Sequence, residues 1–193
     1  MAIEKPEYRV IQEFEDFEIR EYAPYLVAEV EIENDFENAG SDAFSILFDY
    51  ISGNNTKQQK ISMTAPVNQT RAEKKGEKIA MTAPVAQQKS NDESGKYRVS
   101  FVVPAKYTLN TVPEPSNSRV KIRQVPGQII AAIKYRGNWS RNRYQKYEQL
   151  LMEKLEEKNI EMTGKPIFAR YNPPFWPAFM RRNEILIPVG FAE

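Results

Sequence analysis

The chain has 193 residues, 41% hydrophobic and 11% aromatic, and a formal net charge of +1 from 27 basic and 26 acidic side chains. That is enough apolar material for one core, and no global charge draws the chain to nucleic acid or an anionic membrane. With neither cysteine nor histidine, disulfides, iron–sulfur and thiolate chemistry, a histidine-bearing triad and histidine-ligated zinc or heme are all excluded.

The first residues carry no apolar leader, and no apolar run is long enough to span a bilayer, so the expectation is a cytoplasmic protein with no membrane partner. No Gly/Ser-rich linker divides the chain, which reads as a single domain over residues 1–193. Acidic residues gather at 13–37 and basic ones at 119–146, a pattern that fits solvated or complementary faces.

Residues 8–32 alternate as strands. Tyr8 and Val10 open the pattern, Phe17 and Ile19 continue it, and Leu26, Ala28, Val30 and Ile32 close it, with a turn at Ala23-Pro24. Ser41 reads as the N-cap of a first helix, with Ala43, Phe44, Leu47, Phe48 and Ile51 at helical spacing and Gly53 as its stop. Next comes a tandem repeat. Lys60-Ile61-Ser62-Met63-Thr64-Ala65-Pro66-Val67 returns 18 residues later (78 − 60) as Lys78-Ile79-Ala80-Met81-Thr82-Ala83-Pro84-Val85. At a period of two, Ile, Met, Ala and Val share one face in each copy, which predicts two strands of an elongated hairpin, each ending at its proline. The two methionines either fill an irregular core or form a wall of a binding site.

Tyr97, Val99, Phe101 and Val103 alternate before Pro104 and read as a further strand. From residue 120 the pattern of the first half returns. With a shift of 103 (120 − 17), Phe17 meets Val120, Ile19 meets Ile122, Arg20 meets Arg123, Ala28 meets Ala131 and Val30 meets Ile133. Ser140 then caps a second helix with Tyr144, Tyr147, Leu151 and Leu155 on one face, and strands follow near 167–171 and 184–189. Two strand-strand-helix-strand-strand units can bury their helix stripes only against a shared sheet, which gives an α+β fold with an antiparallel sheet curled toward a barrel and helices outside.

Residues 171–185 concentrate binding chemistry. Asn172-Pro173-Pro174 and Pro177 stiffen the backbone, Phe175, Trp176, Phe179 and Met180 offer apolar surface, and Arg181 and Arg182 offer guanidinium forks for carboxylates, or for Glu184 within the loop. No nucleophile elbow, P-loop or dinucleotide fingerprint occurs, so catalysis has thin support. Glu29, Glu31, Glu148 and Glu153 read as charges on solvated faces. Basic and aromatic residues interleave at 135–147, but their spacing suits an amphipathic helix better than a nucleic-acid surface.

The repeated Ile-x-Met-Thr-x-Pro-Val, followed by Tyr171-Asn172-Pro173-Pro174 and Arg181-Arg182-Asn183-Glu184-Ile185, resembles the SOUL/heme-binding protein family over nearly the whole chain. The resemblance implies a pseudo-twofold, distorted eight-stranded barrel flanked by two helices, similar to GyrI-like effector-binding domains. It also implies a non-covalently held heme or other tetrapyrrole as ligand, in a carrier, buffer or sensor. Carried to matching positions, the pocket is Phe44, Leu47, Phe48 and Met63 with Trp176, Phe179 and Met180; the guanidinium forks of Arg181 and Arg182, read from the residues themselves, suit heme propionates or another anionic group. Two departures stand out: the axial histidine described for some members is missing, and basic positions of the family read here as Ser41, Asp49 and Trp176. Iron is thus left to a phenolate such as Tyr22, Tyr25 or Tyr171, to a Met thioether, to solvent or to nothing. Two other readings follow from the resemblance: an effector-binding domain with an inward glutamate, and a tetrapyrrole-degrading enzyme.

Overall fold

In the computed structural model, residues 4–56, 76–90, 95–172 and 175–190 are described. The first half contains β1 (Tyr8–Glu13), β2 (Glu18–Tyr22), β3 (Tyr25–Glu33), α1 (Phe36–Ile51), β4 (Asn55–Thr56), β5 (Val85–Lys89) and β6 (Lys96–Val102). The second contains β7 (Glu114–Pro115), β8 (Lys121–Val125), β9 (Gln128–Arg136), α2 (Arg141–Glu157), β10 (Glu161–Met162), β11 (Ile167–Arg170), a 3-10 turn at Ala178–Met180, and β12 (Arg182–Gly190).

The antiparallel sheet runs β1-β2-β9-β12-β11-β5-β6-β3-β8, with β10 beside β12 and a separate β4-β7 pair. From β2 to β8 this order is its own mirror about the β11/β5 pair. The 103-residue shift carries β2 onto β8 (121 − 18) and β3 onto β9 (128 − 25). Only two residues, Ala23 and Pro24, join β2 to β3, yet these strands lie near opposite ends of the order. Two residues bridge roughly 10 Å at most, so the sheet has to curl until its ends approach. The result is a curled half-barrel whose pairing among the described residues ends at β1 and β8.

Strand alternation decides which face is which. Leu26, Ala28, Val30 and Ile32 of β3, Tyr97, Val99 and Phe101 of β6, Ala131, Ile133 and Tyr135 of β9, and Ile185, Ile187 and Val189 of β12 bury against the helices as the main core. The α1 helix packs on β3 and β6, and α2 packs on β9 and β12, again as pseudo-equivalents. A smaller cluster of Tyr22, Ile130, Ala132, Ala169 and Leu186 fills the opposite, concave face.

Two expectations are corrected. The first helix starts at Phe36, not after Ser41: Asp35 accepts from the Asn38 backbone N–H at 2.8 Å, and Phe36, Ala39, Ala43 and Leu47 form the buried stripe. Ser41 is exposed inside the helix, which runs through Gly40 although glycine is a poor helix former. The second copy of the repeat is not a strand before Val85. Its amides go elsewhere, Ile79 to the Ile51 carbonyl and Ala83 to the Glu4 carbonyl, and the Thr82 hydroxyl donates to the Val102 carbonyl. Ile79 and Ala83 are buried, whereas Met81 is 39% exposed and does not line the core. The first copy, with Met63 and the other arm of the expected hairpin, lies outside the described residues.

Candidate functional site

At the β11–β12 connection the chain presents Phe175, Trp176, Phe179 and Met180 outward, 82%, 39%, 73% and 46% exposed. The neck of this loop is fixed from both sides. Arg182 N–H donates to Asn172 Oδ1 at 2.6 Å, Tyr171 N–H to the Arg182 carbonyl at 3.2 Å, and Arg181 Nε to the Trp176 carbonyl at 2.8 Å. Pro173 and Pro174 lie outside the described residues.

On α1, Phe48 is 49% exposed and stacks on Phe44 at 5.7 Å, while Phe44 meets Phe101 of β6 edge-on at 5.4 Å. Cross-strand pairing then runs from Phe101 to Val85, Val85 to Arg170 and Arg170 to Asn183, so the phenylalanines and the loop share one end of the sheet. Leu47 is fully buried in the core and lines no open surface, a revision of the expected ligand face.

The two loop arginines have internal partners. Arg182 donates to Glu184 Oε1 through Nε at 3.1 Å and Nη2 at 2.5 Å, and the Arg181 guanidinium lies 4.7 Å from the Trp139 ring centre. Glu184, fully buried on the concave face, also accepts from Arg20 at 2.7 and 3.0 Å and from the Tyr171 hydroxyl at 2.7 Å. Burial pushes this carboxyl up, but the hydrogen bonds and charges of Arg20 and Arg182, with Tyr171, outweigh it and leave the pKa below the ordinary glutamate value. Arg20 itself is 0% exposed, bridges Glu18 at 2.6 Å and donates to Tyr22 at 2.9 Å. This network escaped the sequence because Glu18, Arg20 and Tyr22 alternate with Ile19 as a solvent-facing strand edge does; only the shared shift of Arg20 and Arg123 singled the position out.

The concave face also encloses a cavity of about 210 Å³ lined by Tyr22, Tyr25, Arg98, Ser100, Arg123 and Leu186, among others. Glu29, expected on a solvated face, is 8% exposed here and accepts from Arg123 Nε at 2.9 Å. Glu31 remains exposed and pairs with Arg98 at 3.0 Å. Burial holds Tyr22, Tyr25 and Tyr171 above the ordinary phenol pKa, Tyr22 at about 12, and the Tyr22 and Tyr171 hydroxyls sit in the Arg20–Glu184 network. Among the described residues no group of His, Cys, Asp or Glu is arranged to hold a metal ion. None of the described helices is long and apolar enough to cross a membrane.

The model of the family described as SOUL heme-binding protein matches residues 3–74 and 69–188. The chain belongs to the SOUL heme-binding protein family. The two matched stretches overlap between the copies of the repeat, so each takes one copy, and β5 of this SOUL domain begins on the last residue of the second. No curated protein matches the chain in sequence. Among solved structures, the crystal structure of the EcmrR C-terminal domain is similar at a TM-score of 0.62 and 12% identity, covering 96% of this chain and 99% of that one. The cryo-EM structure of an EcmrR–DNA complex matches at 0.62 and 12% over 94% of this chain and 57% of that one. A crystal structure of a hydrolase from Listeria innocua matches at 0.55 and 12%, covering 93% and 94%. At these identities the likeness is one of fold: the SOUL chain shares the curled sheet and its helices with these proteins.

Proposed function

We propose that this SOUL domain is a ligand-binding module that holds a tetrapyrrole, heme in the first instance, by apolar contact as a carrier, buffer or sensor. The carrying observation is the exposed apolar surface of Trp176, Phe179 and Met180 at the sheet end that also presents Phe44 and Phe48. An exposed apolar cluster of this kind marks a contact site. Its flat aromatic groups suit a porphyrin face. The concave cavity, at about 210 Å³, is below the roughly 300–1,000 Å³ of sites that enclose drug-sized ligands, which favours the outer surface for a macrocycle. Heme would supply an iron centre there, and with no histidine or cysteine in the chain, Met180 is the one described side chain of this surface able to approach it as a ligand.

A hemin titration tests the reading, following the Soret band and tryptophan emission in the native protein and in Trp176→Ala and Phe48→Ala. Saturable one-to-one binding weakened by both substitutions is expected. Binding that is absent, or indifferent to both, overturns it.

A second reading places a smaller effector in the concave cavity, favoured by its enclosure and by the Tyr22 and Tyr25 walls. The buried glutamates of that face are Glu184 and Glu29, and arginines already occupy their oxygens, Arg20 and Arg182 those of Glu184 and Arg123 that of Glu29. Recognition of a cation is therefore disfavoured, and Arg98, whose buried Nε has no hydrogen-bond partner, suits a small aromatic acid better. Protection of Tyr25 from iodination by such an acid, with no Soret change, is the signature.

A further inference from the structure

Arg170 closes β11, yet its side chain turns into the helix-side core, 8% exposed. Its guanidinium lies 4.9 Å from the ring centre of Phe168 and 5.1 Å from that of Trp139, and Nη2 donates to Gln87 Oε1. A Cβ on Gly40 would stand 2.3 Å from Nη1 and 2.9 Å from Cζ, so the fit of this cation against α1 depends on the glycine. Nε has no acceptor, and no carboxylate pairs with the group among the described residues. Glu37, a nearby acid, accepts instead from the Arg141 N–H at 2.9 Å, and the hydroxyl of the neighbouring Tyr135 is also without a partner. Burial lowers the Arg170 pKa to about 10, which leaves it charged at neutral pH.

A buried, charged guanidinium with no counter-ion is costly in an apolar core. Trp139 connects it to the loop, since Arg170 and Arg181 both pack on that indole, beside the exposed Trp176 and Phe179 surface. The geometry points to Arg170 as the anchor for an anionic group of the bound ligand, a carboxylate reaching inward past Trp139 while the ligand's apolar body rests on Trp176 and Phe179. This rests on the tetrapyrrole reading and deepens it: Arg182 is paired with Glu184, whereas Arg170 has an unused donor. A carboxylate supplies what the site lacks, a negative charge and an acceptor for Nε.

The test compares hemin with hemin dimethyl ester, whose carboxylates are blocked, on the native protein, Arg170→Met and Arg170→Gln, with thermal melts to establish folding of each. The native protein should prefer hemin by about tenfold or more, as expected for a charge-assisted pair. Both variants should lose that preference while binding the diester unchanged. An unchanged preference in a folded variant overturns the proposal and leaves Arg170 a packing residue. If the native protein binds neither porphyrin, the tetrapyrrole reading fails separately, and benzoate titrated against Trp139 emission in a Trp176→Phe background decides the anchor itself. Saturation that disappears with Arg170→Met supports an anion site; no response overturns it.

Discussion

Removing the Glu184 carboxylate should be among the most costly single changes in this fold. The Glu184→Gln protein keeps the side-chain shape but strips the charge from a group that is 0% exposed and engaged by Arg20, Arg182 and Tyr171. Arg20, itself fully buried, is left with Glu18 alone as a charged partner. Breaking a buried pair from one side costs roughly 3–5 kcal/mol. For a chain of this size each kcal/mol moves the melting temperature about 2–4 °C, so a fall of roughly 6–20 °C is expected by calorimetry. The acid limb gives an independent check. Because the folded pKa lies below the ordinary value of 4.5, the carboxylate contributes stability that is present above pH 4.5 and lost as pH falls through the folded pKa. The wild type should therefore destabilise below pH 4.5 by more than Glu184→Gln does. Pairing Glu184→Met with Arg20→Met should cost less than the sum of the two singles, a coupling of about 0.5–3 kcal/mol. Additive singles together with a Glu184→Gln loss under about 1 kcal/mol would falsify the account of the network as a coupled buried ion cluster.

Three further outcomes are expected. Asp35→Ala should lose about 1 kcal/mol as a missing cap, while Ser41→Ala, exposed inside α1, should leave the denaturation midpoint unmoved. Leu47→Ala, emptying a fully buried site, should cost roughly 2–5 kcal/mol; Phe48→Ala should stay within about 0.5 kcal/mol of the native stability, nearer the behaviour of a surface position, so a change in hemin affinity there reports contact and not folding. Gly40→Ala forces a methyl group against the Arg170 guanidinium and should cost about 1–3 kcal/mol as overpacking; urea melts of Gly40→Ala with Arg170→Met should recover much of that loss, and no recovery would place the strain elsewhere.

Periodicity and pseudo-repetition were legible along the chain. The alternation of Leu26, Ala28, Val30 and Ile32, the Ser140 cap and the 103-residue shift predict strands, helix and symmetry that the fold contains, because hydrophobic pattern and capping chemistry act over a few residues. The repeated Met-Thr-Ala-Pro copy misled where its period of two met no neighbouring strand: Ile79 and Ala83 bond to Ile51 and Glu4, and Met81 turns outward. Local pattern names a possible strand; a partner for its amides makes one.

The composition by itself determined what chemistry is impossible here, since a chain without histidine or cysteine cannot supply those ligands in any fold. It also supplied the apolar side chains of the Trp176 loop, whose character is independent of position. What only the tertiary structure decided is which charges are free. Arg181, Arg182 and Arg170 are alike as letters, yet one lies over Trp139, one is joined to Glu184 and one is buried without an anion. That difference comes from strands brought together across more than a hundred residues, as when Arg20 meets Glu184. A charge's function depends on its partner and its distance from water, and neither is written in its own stretch of chain.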